Sequence, residues 1–248
     1  MFEQRLKFKL EDRTMQLLKE SRQLLLQVSG DRIRHELDLI LSGNHSFEVF
    51  HRLQELDLLT SIHPDFIWKE EYRKPLEKAF SDPINKKWAL FEMVGNIPVQ
   101  RFIAYLIILS AIPPLQVNVV SKRLHLSAVL RYALLQSNSL LIDFPHLLES
   151  KPSKIVRRLE KTSAAVLYAI YLAAPQKSWK ELILQFQTTW KKVKPITSGD
   201  TLKNMGIPPG PAYHSILSSL RAAWLDEEIK SAEEEDALLK KLLKNISK

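Results

Sequence analysis

Apolar residues recur three and four positions apart along almost the whole chain, the spacing that lines one face of an α-helix. Strict apolar–polar alternation, the mark of a half-buried strand, never runs beyond four residues. The interruptions carry helix start signals. Ser29-Gly30-Asp31 precedes RIRHELDLIL, which predicts Ser29 as N-cap and Asp31 in the first turn, where the helix dipole favours an anion. Ser46 opens FEVFHRLQELDLL, Pro98 opens VQRFIAYLIIL, and Pro152-Ser153 opens KIVRRLEK. Thr197 or Ser198 caps the short TLKNM turn, and Pro211 takes the first helical position of AYHSILSSLRAAWLDEEI. Connections are short, at Gly43-Asn44, Asp82-Pro83, Gly95-Asn96, Pro113-Pro114 and Pro175. The pattern predicts an all-α fold of stacked antiparallel helix pairs with a small C-terminal helical unit. A composition shift near Pro195 divides it into a helical body, residues 1–194, and a helical tail, 195–248. No repeat survives self-comparison, so the pattern does not define a solenoid.

The most apolar run, FIAYLIILSAI (102–112), stops at Pro113-Pro114. It is shorter than the roughly 20 residues needed to span a bilayer, and it predicts a buried core helix rather than a membrane contact. The first residues, MFEQRLKFKLEDR, are charged throughout and do not read as a secretory leader. With zero cysteines among 248 residues, disulfides, Cys-ligated zinc and thiol catalysis are all excluded. These features fit a cytoplasmic protein. The five tryptophans, Trp68, Trp88, Trp179, Trp190 and Trp224, fall near helix starts or in amphipathic runs, and core packing is expected of most of them rather than base stacking.

The net charge of +8 favours a polyanionic partner and is unevenly spread. Residues 122–194 hold 13 Lys and Arg against 4 Asp and Glu, whereas DEEIKSAEEED (226–236) is acidic and reads as a solvated helical hairpin. Within the basic stretch, Lys154, Arg157, Arg158 and Lys161 follow three–four spacing, which predicts an outward stripe of four cations. Lys151 lies ahead of the helix.

One stretch breaks the helical text sharply. Between Gly206 and Pro211 the chain places two glycines and three prolines in six positions. Prolines fix φ near −65°, and glycines admit backbone that a side chain would block. The segment predicts a preset corner aiming the next helix. Behind Pro211, which has no N–H, Ala212 and Tyr213 are placed to offer backbone donors to a phosphate, with Lys203 and His214 adding charge. The alternative is a rigid corner without a ligand.

No reaction centre emerges from the sequence. His35-Glu36 lacks the second histidine of HExxH and reads as a helix-surface pair. There is no adjacent His-Asp pair, P-loop, G-x-G-x-x-G or G-x-S-x-G.

Four segments, in order, resemble the helical RNA-binding region of the tRNA nucleotidyltransferase and poly(A) polymerase family, of the bacterial CCA-adding type. They are Phe2-Glu3-Gln4-Arg5-Leu6-Lys7-Phe8, leading into Leu10-Glu11 and Arg13-Thr14; then Ser29, Arg32-Ile33 and Glu36-Leu37, followed by 56–59 and Ile62-His63-Pro64. Next come Pro152-Ser153-Lys154-Ile155, and last Gly199, Leu202 and Gly206-Ile207 with Pro209-Gly210-Pro211, running into Ile216-Leu217. The resemblance implies the end of a neck, a body and a tail that hold tRNA or another structured RNA. It implies Arg5, Arg32, Lys203, Gly206, Gly210, Ala212, Tyr213 and His214 as candidate RNA contacts beside the four-cation stripe. The family's catalytic head carries a Gly-Ser pair and an Asp-x-Asp whose carboxylates bind two metal ions. Neither occurs here, so no catalytic residues, metal ligands or cofactors are expected in this chain, and Mg²⁺ with CTP or ATP is expected only with a head encoded upstream. On this reading the chain alone adds no nucleotides. Two positions depart from the family's pattern: Thr201 stands for an aspartate and His214 for a glycine. A rival reading is an all-α protein-interaction scaffold that does not touch RNA; a complete enzyme with an unfamiliar site has no residue cluster behind it.

Overall fold

In a computed structural model, residues 9–43, 46–81, 88 and 90–246 of the protein are described, with side chains as far as Lys244. Arg5 and the segment around it lie outside the described residues. Fourteen α-helices are present among those described: α1 (Asp12–Glu20), α2 (Gly30–Leu41), α3 (Ser46–Glu55), α4 (Leu58–Ile62), α5 (Arg73–Ser81), α6 (Val99–Ile108) and α7 (Val117–Arg123) in the first half. They continue as α8 (Ala128–Leu148), α9 (Pro152–Leu159), α10 (Ala164–Ala173), α11 (Lys177–Thr188), α12 (Gly199–Asn204), α13 (Pro211–Leu225) and α14 (Ala232–Ile246). The fold is all-α, as the periodicity predicts. A two-stranded hairpin, β1 (Met93–Val94) with β2 (Ile97–Pro98), pairs Met93 with Pro98 and Val94 with Ile97, and is too short to leave an alternation in the sequence. Its turn uses Gly95 at φ +60°.

The chain divides into two compact units, Met1–Asp143 with Thr162–Lys180, and Phe144–Lys161 with Glu181–Lys248. One division falls inside α8, just before its internal Pro145.

The first unit is built around α6. Val99 and the unbroken run 102–108 are buried, because α2, α5 and α10 pack on different sides of this helix. That surrounding explains a segment apolar on every face. Each fully buried Leu, Ile or Phe contributes about 1.5–3 kcal/mol by leaving water. Among the described residues no helix is long and apolar enough to cross a membrane. Tyr105 on α6 donates its hydroxyl to Asp38 of α2 at 2.8 Å; burial, with the Asp38 charge, pushes its phenol well above the ordinary range. Trp68 stacks on Phe50 with ring centroids 5.3 Å apart, and Trp88 packs between Tyr168 and Tyr171. Trp68, Trp88 and Trp179 are buried, and Trp190 and Trp224 are partly buried, as expected of core aromatics.

The second unit has its own core of Leu202, Ile216, Leu220 and Leu239 from α12, α13 and α14. Here the Gly-Pro corner resolves into ordinary helix-end chemistry. Gly206 adopts φ +77°, its N–H reaches the Lys203 carbonyl at 3.0 Å, and Ile207 N–H reaches Leu202 O at 3.2 Å. This is a Schellman ending for α12, completed by Ile207 packing on the Leu202 cluster. Tyr213 then bridges the corner, donating its hydroxyl to Ile207 O at 2.7 Å. At the other end of α12, Ser198 accepts from Thr201 N–H while Thr201 Oγ1 accepts from Ser198 N–H, so Thr201 does support the turn. Gly210 behaves differently from Gly206: its φ of 174° is extended backbone open to any residue, and a Cβ there meets nothing within 4 Å. The expected result is an asymmetry. Gly206→Val forces an L side chain into left-handed backbone and costs about 1–2 kcal/mol, whereas Gly210→Val shifts stability by less than about 0.5 kcal/mol. Paired thermal melts check it, and equal losses at the two positions would contradict the assignment.

Candidate nucleic-acid interface

The four-cation stripe is an outward pair with two engaged neighbours. On α9, Ile155, Val156 and Leu159 face the core, which turns Lys154 and Arg157 outward; Lys161 is exposed in the turn that follows. Arg158 sits at the edge of the buried face, partly covered and engaged with its surroundings. The one carboxylate among these cations, Glu160, is held by Arg221 of α13 in a two-pronged pair, 2.7 Å to Oε1 and 3.1 Å to Oε2. Its negative charge is thereby matched from behind, and Lys154 and Arg157 keep the outward face basic, while Lys161, like Arg158, is engaged with its surroundings.

The start of α9 is not open to an external anion. Asp226 accepts from Ser153 N–H at 2.8 Å and from the Ser153 hydroxyl at 2.7 Å, placing a carboxylate of the chain itself at the positive end of the helix. Beside it, Lys151 donates to Glu228 at 2.8 Å, and that carboxylate raises the lysine's pKa. Glu235 is buried at 2% exposure and accepts from Ile196 N–H at 2.9 Å, Thr197 N–H at 2.6 Å and the Trp224 indole. Burial raises its pKa, but the hydrogen bonds from Thr197, Trp224 and Ile196 outweigh that and hold it below the ordinary range. The acidic run 226–236 is the connection between α13 and α14 with the first turn of α14, and it is not simply solvated: Asp226, Glu228 and Glu235 are internal partners.

The predicted phosphate seat at the start of α13 is half taken. Tyr213 N–H donates to Gly210 O at 3.0 Å, and the Tyr213 ring and hydroxyl serve the corner, so this residue is structural. Lys203, Gly206 and Gly210 are exposed, Ala212 is partly buried, and His214 is exposed on the flank of α13 rather than at its tip. There His214 lines a shallow cleft of about 360 Å³ with Lys194, Ser198, Ser218 and Arg221. Lys194 and Arg221 went unremarked among the sequence candidates; the one signal for Lys194 was the lysine-rich text at 191–194.

In the first unit, Arg32 is exposed on α2 and borders, with Glu36, an apolar hollow of about 330 Å³. Ser29 occupies the N-cap position of α2, but its side chain makes no cap hydrogen bond. His35 lies on the helix surface, and His63 is buried with Nδ1 accepting from Asp65 N–H at 3.2 Å, a structural role. Among the described residues no three His, Asp or Glu side chains gather to hold a metal ion.

An all-α framework with a basic outward face defines the class to which the comparisons point. Residues 7–68 match the family described as "Probable RNA and SrmB-binding site of polymerase A". The A-adding tRNA nucleotidyltransferase of Geobacter sulfurreducens is 26% identical over 249 residues, covering 94% of this chain and 27% of that protein. The CCA-adding enzyme of Lactobacillus helveticus is 37% identical over 99 residues, 39% of this chain and 25% of that enzyme. In fold, the chain matches the CCA-adding enzyme of Thermotoga maritima, solved with tRNA, at a TM-score of 0.67 and 22% identity, over 99% of this chain and 59% of that one. Residues 7–68 thus match an RNA-binding region of polymerase A, the chain is similar to a tRNA nucleotidyltransferase over 94% of its length, and it shares the fold of a CCA-adding enzyme. It spans about a quarter of the length of these two curated relatives.

Proposed function

We propose that this helical region binds tRNA or a similarly structured RNA and positions its 3′ end for a nucleotidyltransferase head, with Mg²⁺ and CTP or ATP held by that head. The observation that carries this reading is the outward pair Lys154 and Arg157 on one basic helix, where the nearby carboxylate Glu160 is matched by Arg221. Folded RNA is recognised largely by shape and phosphate contacts, which suits outward cations on a rigid helix better than exposed aromatic platforms. The names of the relatives, one A-adding and one CCA-adding, agree with a tRNA partner. Each phosphate neutralised adds about 0.9 to the slope of log affinity against log salt. Lys154→Glu with Arg157→Glu should therefore weaken tRNA binding at least about tenfold at low salt and flatten the slope by about two, with the thermal midpoint kept. Unchanged affinity and slope in the folded variant would favour the protein-scaffold reading instead.

A further inference from the structure

We propose that the cleft on the flank of α13 seats one RNA backbone phosphate, with Lys194 and His214 as its principal donors; the proposal rests on the RNA-binding reading above. Along α13, His214, Ser218 and Arg221 recur at three–four spacing and so share one face of the helix. The opposite wall is the extended connector that carries Lys194 and Ser198 into α12. Leu217 belongs to the same lining. No carboxylate lines the cleft. The nearby acids are committed elsewhere: Glu160 to Arg221, and Glu235 to the N–H groups of Ile196 and Thr197, while Asp200 stands in the first turn of α12 outside the lining.

Both walls are fixed before a ligand arrives. Glu235 pins the connector through two backbone bonds, and Arg221 tacks it from the other side by donating Nε–H to Val193 O at 2.8 Å. Three of the five Arg221 N–H donors are committed, one to Val193 O and two to Glu160, so it chiefly shapes the cleft and lends field. Lys194, His214 and Ser218 are exposed, leaving an ammonium, an imidazole and a hydroxyl to converge on one tetrahedral anion. Such a shallow, open cleft admits a phosphodiester on the surface of a folded RNA but does not enclose a base. The donors are side chains held on rigid elements, and the backbone N–H groups at the tip of α13 are not required.

The test uses the 248-residue chain and a tRNA transcript, with affinity measured across a salt series. Lys194→Ala should lower affinity about three- to tenfold at low salt and reduce the salt slope by about one. His214→Ala should weaken binding about threefold, and the His214 imidazole proton signals should shift when tRNA is added. Lys240→Ala, at an exposed position of α14 where Lys240 pairs with Asp236 at 2.6 Å, should leave affinity and slope unchanged. If Lys194→Ala and His214→Ala bind like the parent while Lys154→Glu with Arg157→Glu still weakens binding, the cleft is overturned and the basic face stands. If the parent itself fails to bind tRNA, the RNA reading falls and the cleft with it.

Discussion

Gly30→Ala lowers the thermal midpoint by about 6–12 °C, the shift expected for a loss of about 3 kcal/mol in a chain of this size. A Cβ at position 30 lies 2.2 Å from the Arg123 carbonyl oxygen and 3.0 Å from the His125 ring. The carbonyl cannot move alone, because it ends α7, whose closing bonds run from Leu124 N–H to Val120 O at 2.9 Å and from Leu126 N–H to Ser121 O at 2.8 Å. Nor can residue 30 retreat freely. The Arg123 guanidinium draws the segment before α2 onto α7, donating to Val28 O at 2.9 Å and Leu25 O at 2.7 Å. Relieving the clash stretches these bonds and opens the packing beneath, the usual cost of inserting a methyl where backbone meets backbone. Ser29→Ala, one residue earlier, is the control: its side chain makes no cap bond, so its melt should move by less than about 2 °C. A Gly30→Ala protein that melts with the parent would disprove the close approach.

Glu235→Ala removes about 3 kcal/mol from the second unit. It strips the partner from three donors, the N–H groups of Ile196 and Thr197 and the Trp224 indole, and an unsatisfied buried donor costs about 1–3 kcal/mol. Glu235→Gln keeps one accepting oxygen and should lose roughly half as much. The pH dependence has a definite sign. Because the folded-state pKa is depressed, the unfolded chain takes up this proton at a higher pH than the folded one, and protonation favours unfolding. The stabilisation is complete above the ordinary glutamate pKa of about 4.3 and disappears as pH falls through the lower folded value. Chemical denaturation at several pH values between neutral and acid, followed by Trp fluorescence, reads this directly. Parent and Glu235→Gln should differ most near neutrality and converge in acid; a constant gap would refute the ionised, hydrogen-bonded carboxylate.

The contrast between these two residues and the Gly-Pro corner separates what the sequence by itself determined from what tertiary structure decided. Helices are set by contacts three and four residues apart, so the periodicity of 30–41, 99–108 and 211–225 was sufficient to place them, and the all-α fold followed. Caps are equally local: Ser198 and Thr201 bond each other across three residues, and Gly206 closes α12 onto Leu202 and Lys203. The resemblance was legible because its motifs at 29–37, 152–155 and 199–211 sit on such local features in a fixed order. Position within a charge run carries no comparable information. DEEIKSAEEED reads as solvated text, and only folding brings Asp226 to Ser153 across 73 positions and Glu235 to Thr197 across 38. Likewise Arg158 differs from Arg157 only by which side of α9 meets the core, and Tyr213 N–H was lost to a turn bond that local spacing leaves open. Gly30 resembles any helix-start glycine until α7 packs against it from about 90 residues away. Short-range geometry is written in neighbouring residues, whereas the commitment of a particular charge, or the need for a bare Cα, depends on which distant backbone arrives beside it.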